Sequence, residues 1–195
     1  MTASQAVYNQ LREVLPDGLR ILNQAPASDQ DSYVVSAKLA QRYNLKQIGD
    51  LRAVPNLVLG GNSELETRPY GPKGLKSIYG VNAKFSPIED SGGALTVKAL
   101  RDNSIQLADI YSSDPVLAGS DLVVLADPKS LFLASQVVPV ISERIDERAG
   151  TEINRISAML TSRALIEMNH QSTKLQRSAR DIAKAWLATQ SANAS

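Results

Sequence analysis

Between Asp90 and Asp114 the chain changes its hydrophobic period, and this narrows the possible folds more than any other feature. Leu95, Ala99 and Leu100 recur at helical spacing, with Lys98 and Arg101 on the other side. Asp90 and Ser91 precede them and suit a helix start, where free backbone N–H groups need an acceptor. Asp102-Asn103-Ser104 breaks the helix. Ile105, Leu107 and Ala108 then open a half-buried strand that ends at Tyr111. A helix feeding a strand is the unit of α/β folds. The polar segment Tyr111-Ser112-Ser113-Asp114 falls at the strand's carboxyl end, where open α/β sheets bind ligands. An ordinary polar loop accounts for the same residues. Asp109 and Asp114 have no partner in the pattern and read as solvated or capping carboxylates.

The rest of the chain repeats this alternation. Strands are predicted over 19–22, 32–36, 56–59, 84–88, 121–126 and 136–141, and helices over 5–15, 37–43, 46–51 and 73–79. Leu57-Val58-Leu59 before Gly60-Gly61, and the apolar run 121–126, read as buried strands. Residues 143–190 contain no proline and only Gly150, and their apolar residues keep helical spacing. Thr161 suits a helix cap, and Ser178 with Asp181 resembles a capping box.

Composition removes several classes of function. The chain has 195 residues and a net charge of +1 without a basic block, so no nucleic-acid footprint is indicated. It has no cysteine and one histidine, His170, which leaves no basis for a disulfide frame, a thiol nucleophile or a Cys/His metal site. No nucleophile elbow or phosphate loop occurs. No metal, no cofactor and no enzymatic activity are expected.

The order of motifs carries a resemblance. Ser32-Tyr33-Val34-Val35-Ser36, Leu57-Val58-Leu59-Gly60-Gly61-Asn62-Ser63-Glu64, Arg68-Pro69-Tyr70-Gly71-Pro72-Lys73-Gly74-Leu75, Ile78-Tyr79-Gly80, the stretch from Asp90 to Asp114, Asp121-Leu122-Val123-Val124-Leu125-Ala126-Asp127 and Val137-Val138-Pro139-Val140 stand in sequence. Together they resemble the glycine betaine/choline substrate-binding proteins of ABC importers, over roughly residues 5–190. The resemblance implies an α/β fold of type II periplasmic-binding-protein kind: a mixed sheet flanked by helices, with additional C-terminal helices. It implies two lobes joined by crossings at 24–28 and 136–141. Residues 1–28 would then be a remnant of the first lobe with the first crossing. Residues 29–135 would be the second, ligand-binding lobe. Residues 136–195 would be the second crossing and the first lobe's C-terminal helices. The family's opening segment has no counterpart, so the chain is expected to be a fragment whose partners include the missing part of the first lobe.

The resemblance also implies a function: an extracytoplasmic solute-binding domain that captures a quaternary-amine compatible solute and delivers it to an ABC permease. The alternative of another class is a ligand-sensing regulatory domain of the same bilobal fold. A quaternary ammonium has no N–H to donate and is held by aromatic faces, at about 0.5–2 kcal/mol per contact. A ligand carboxylate calls for arginine. Tyr33 and Tyr111 match the family's cage aromatics, Arg68 the carboxylate clamp, and Asp31 a neighbouring polar contact. On the residues alone, Tyr33 equally suits packing in a strand and Arg68 a solvated loop. Ser135 stands where many relatives carry an aromatic, with Phe132 nearby, so glycine betaine, choline, carnitine, another betaine-bearing solute such as ergothioneine, and a bulkier ligand all remain open.

Overall fold

Strand β2 (Asp31–Ser36) is where the main sheet is assembled. It is the antiparallel member of a five-stranded sheet of order β4-β3-β5-β2-β6, built with β3 (Val58–Gly61), β4 (Lys84–Pro87), β5 (Leu107–Tyr111) and β6 (Leu122–Val124). β3 runs parallel to β4 and β5, while β2 runs antiparallel to β5 and β6. The carboxyl ends of β3, β4, β5 and β6 therefore share one edge with the start of β2. The structure is a computed structural model, described here for residues 3–192.

The chain divides into two units. The sheet unit comprises residues 31–112 and 119–133. Alternation along its strands sends Tyr33, Val35, Leu59 and Leu107 into one core, where they meet Ile48, Leu51, Leu75 and Phe132. Each such fully buried apolar side chain contributes about 1.5–3 kcal/mol. Helix α2 (Ala37–Tyr43) starts at Ser36, whose side chain accepts from the Leu39 N–H, and ends at Asn44 in the left-handed conformation. Helix α4 (Ala94–Arg101) lies against β5 and β2. Its buried residues are Thr96, Val97 and Leu100, whereas Leu95 is 63% exposed, so the buried side is turned from the one read off Leu95, Ala99 and Leu100.

Other local expectations also shift. The 46–51 helix is a 3-10 turn over Ile48–Ala53. The 73–79 helix is a short α-helical turn, α3 (Pro72–Gly74), passing into a π turn over Leu75–Tyr79. The 121–126 strand keeps only β6, with Val124 42% exposed because β6 is the sheet's edge.

The second unit comprises residues up to Gln30 together with 113–118 and 134 onward. It holds α1 (Ala3–Val14) and a two-stranded ribbon in which β1 (Leu19–Ile21) pairs antiparallel with β7 (Val140–Ser142). Helices α5 (Glu147–Met159), α6 (Ser162–Thr173) and α7 (Ala179–Ala192) complete it. Asp146 and Thr161 cap α5 and α6 by accepting from Ala149 N–H and Ala164 N–H. The strand expected over 136–141 is shorter and later. Pro139 has no N–H for a ladder, yet its carbonyl accepts from Leu22 N–H, and Val137 exchanges hydrogen bonds with Ala25 and Ala27. The two segments expected as crossings thus run antiparallel, side by side, with a bridge at Ser28 and Gln136. Residues 143–190 carry helices and turns and no strand.

Candidate functional site

The carboxyl edge of the sheet opens into a cavity of about 150 Å³, entirely within the sheet unit. Its floor comes from β2 and β5. Their register sets Asp31 opposite Tyr111 and Tyr33 opposite Asp109, which puts all four on one face. Asp31, Asp109 and Tyr111 line the cavity, and Tyr111 is 48% exposed. The segment after β3 supplies Asn62, Glu64, Arg68 and Tyr70. The turn before α4 supplies Ser91 and Gly92, which have positive φ.

That turn is held by Asp90, as expected of a cap. Its carboxylate accepts from Leu95 N–H at 2.6 Å, Thr96 N–H at 3.1 Å and the Thr96 hydroxyl at 2.5 Å. Burial works against the charge, but these hydrogen bonds prevail and hold the carboxyl below its ordinary value. Gly92 permits the close approach of turn and sheet, because a Cβ there would sit 2.9 Å from the Asp109 carbonyl oxygen. Gly60 and Gly61 serve packing. Their absent Cβ atoms leave room for Ile105 and Leu65.

Three of the four expected site residues, Asp31, Arg68 and Tyr111, meet in this cavity. Tyr33 does not line it. Its ring is 0% exposed, stacked edge-on against Phe132 with centroids 4.9 Å apart, and its hydroxyl donates to the Tyr70 carbonyl. Tyr33 shares a face with Asp31, but two residues further along β2 that face is covered, and its side chain lies in the core. Tyr70 presents the ring at the cavity instead, braced from below by Phe132 at 5.4 Å. Arg68 donates to the Glu64 carboxylate at 2.9 Å, so a ligand carboxylate would compete with Glu64 for it.

Asp109 is the residue whose role the linear pattern misses. Strand pairing brings it beside Asp31, with which it shares a hydrogen bond. Burial, then the Asp31 charge, push its carboxyl up to about 8. Its Oδ1 is buried without a hydrogen-bond partner. Tyr70 is raised to about 12, by burial first and then by Asp31, whose carboxylate its hydroxyl meets. Only the spacing Asp109-x-Tyr111, with the parity of a strand, signals that the two share a face.

A stability prediction follows from the sign of the Asp109 shift. In an unfolded chain an Asp ionises near 4, and here the folded state binds more protons up to about 8. Stability is fully present below the unfolded value and is lost as pH rises toward and through the folded value. Asp109→Asn removes this dependence, so urea unfolding should show the variant more stable than the parent at pH 9 by about 1–3 kcal/mol, with the gap closing by pH 4. A gap independent of pH would show that Asp109 does not titrate this way.

A mixed sheet of this order, flanked by helices, has the type II periplasmic-binding-protein fold. The chain belongs to the family OpuAC, described as the substrate binding domain of ABC-type glycine betaine transport systems, whose sequence pattern matches residues 2–189. It is 25% identical over 145 residues to the carnitine transport binding protein OpuCC of Listeria monocytogenes serotype 1/2a (strain 10403S), covering 72% of this chain and 46% of that protein. It is 24% identical over 160 residues to the ergothioneine transport permease/ergothioneine binding protein EgtU of Helicobacter pylori (strain G27), covering 80% of this chain and 29% of that protein. The chain thus spans less than half the length of these curated relatives. Among solved structures, a glycine betaine/carnitine/choline ABC transporter crystal structure superposes with a TM-score of 0.81 at 21% identity, covering 95% of this chain and 68% of that one. Among the described residues, no helix is long and apolar enough to cross a membrane.

Proposed function

We propose that this chain forms the ligand-binding part of an extracytoplasmic receptor that captures a small quaternary amine and delivers it to an ABC permease. The observation that carries the reading is the cleft itself, where Tyr70 and Tyr111 stand around two carboxyl groups at the carboxyl edge of a sheet in an OpuAC-family domain. Tyrosine faces and a negative field suit a cation with no hydrogen to donate. Carnitine and ergothioneine, named for the two relatives, both carry a trimethylammonium group and a carboxylate. Arg68 is the residue here that can meet such a carboxylate, in exchange for Glu64. Tyr33 acts from beneath, by fixing the Tyr70 backbone. The regulatory reading of the same fold gains nothing from these two relatives, both of which are named for transport.

The test is calorimetric titration of the native full-length protein with choline, glycine betaine and carnitine. Tyr111→Ala should weaken choline about tenfold, equivalent to roughly 1–2 kcal/mol, while Tyr111→Phe changes it little because the ring face makes the contact. Arg68→Ala should weaken betaine and carnitine far more than choline, which has no carboxylate. Unchanged binding of every quaternary amine in folded Tyr111→Ala and Arg68→Ala variants would remove the assigned site.

A further inference from the structure

We propose that the Asp31–Asp109 carboxyl pair holds one shared proton while the cleft is empty and releases it to solvent when a quaternary ammonium cation enters, so that capture is linked to pH. This rests on the reading that the cleft takes such a cation.

The two aspartates are diagonal neighbours on one face of the β2–β5 pair, and both line the cavity. The Tyr70 hydroxyl meets Asp31, whereas the buried Oδ1 of Asp109 has no partner. The surrounding charges compensate the pair only weakly. Among the described residues Arg68 is the one basic residue lining the cavity; its guanidinium is engaged by Glu64, and the Asp31 charge is the smallest of the influences on it. Asp90 is turned into the first turn of α4. Burial keeps the Tyr33 and Tyr70 hydroxyls protonated, so neither adds a charge. On the far side of Tyr33, Asp127 accepts from the Tyr79 hydroxyl. Two adjacent carboxyls with no cation between them do not both ionise, and the first one to hold a proton is the more buried, Asp109. Its upward shift agrees with this placement.

A trimethylammonium group supplies the missing positive charge but no hydrogen. It stabilises the pair as two carboxylates, and the O–H bond of Asp109 breaks with its proton passing to the buffer. One proton leaves as one positive charge arrives, and the charge of the cleft is conserved. Apparent affinity then rises with pH, by up to about tenfold per unit below the pair's ionisation. Choline is the suitable probe because it has no group that titrates between pH 5 and 9.

Choline is titrated into the native full-length protein at pH 7 in phosphate and in Tris, which differ in ionisation enthalpy. The wild type should show a buffer-dependent heat corresponding to release of roughly one proton per choline, and affinity should rise at least tenfold from pH 6 to pH 8.5. In Asp109→Asn the heat of whatever choline binding remains should be the same in both buffers, and its affinity should not change with pH. Should that variant fail to fold or to bind, the wild-type pH series alone decides. Equal heats in both buffers and a flat pH series, in a protein that binds choline, would overturn the proton exchange and leave the proposed function standing. Failure of the wild type to bind choline, glycine betaine or carnitine would overturn both.

Discussion

Gly74→Ala is expected to destabilise the sheet unit by about 3 kcal/mol or more and to abolish ligand binding with it. A Cβ at Gly74 would lie 1.9 Å from the Pro69 carbonyl oxygen and 2.9 Å from Leu131 Cδ1. Gly71 meets the same limit, with the Leu65 carbonyl oxygen at 1.9 Å. A side chain can rotate out of such a clash, but a backbone oxygen moves only if its peptide moves. The peptides concerned belong to the segment that carries Arg68 and Tyr70 to the cavity, so stability and binding fail together. Gly80→Ala is the control. Gly80 has φ of +67, with nothing nearer than Arg52 Cδ at 3.8 Å. It should cost only the left-handed strain of an L-residue, about 1–2 kcal/mol. Urea unfolding of the two variants checks the order, and an equal cost would mean that close packing at Gly74 is not what the site depends on.

Tyr33→Ala is expected to cost about 3–5 kcal/mol, the usual range for removing a large ring from a core. Domains have only about 5–15 kcal/mol to lose. The ring fills the space beside Phe132, and no water reaches it. Tyr33→Phe keeps that packing and removes only the donor to the Tyr70 carbonyl. It should cost about 1–2 kcal/mol, the range for a buried acceptor left unpaired. Its effect on choline affinity should be smaller than that of Tyr111→Ala, because Tyr33 acts by positioning Tyr70. A Tyr33→Phe variant of near-normal stability that loses choline as severely as Tyr111→Ala would place the Tyr33 hydroxyl at the ligand instead.

The contrast between Tyr33 and Tyr70 shows where reading the chain stops. Both stand in motifs that mark the family, and either satisfies the chemistry of a cage. Tyr33 follows Asp31 by two residues, so the pleat gives them the same face, but one residue of strand depth separates the cavity from the core. Tyr70 lies in a loop with two prolines and no periodicity, and its ring is aimed by packing on Phe132, which is 62 positions away. Arg68 and Tyr111 were singled out through the resemblance, and both line the cavity. Gly74 was legible only as part of a motif. Its reason, the Pro69 oxygen in contact with it, is a matter of folded space.

By itself the sequence determined what depends on neighbours along the chain: the alternation of helix and strand, α2 over Ala37–Tyr43, the caps at Asp90 and Thr161, and the helical character of 143–190. These follow from period and from the unsatisfied N–H groups at helix starts. Tertiary structure alone decided the strand order, the exposure of Leu95 on α4, the shortening of β7 and the meeting of Asp31 with Asp109. Those two aspartates are 78 residues apart; Asp109 by itself reads as a solvated or capping carboxylate, and Asp31 as a polar contact only through the resemblance. Only the antiparallel register of β2 on β5 brings them together, and register between distant strands is set by the packing of the whole sheet.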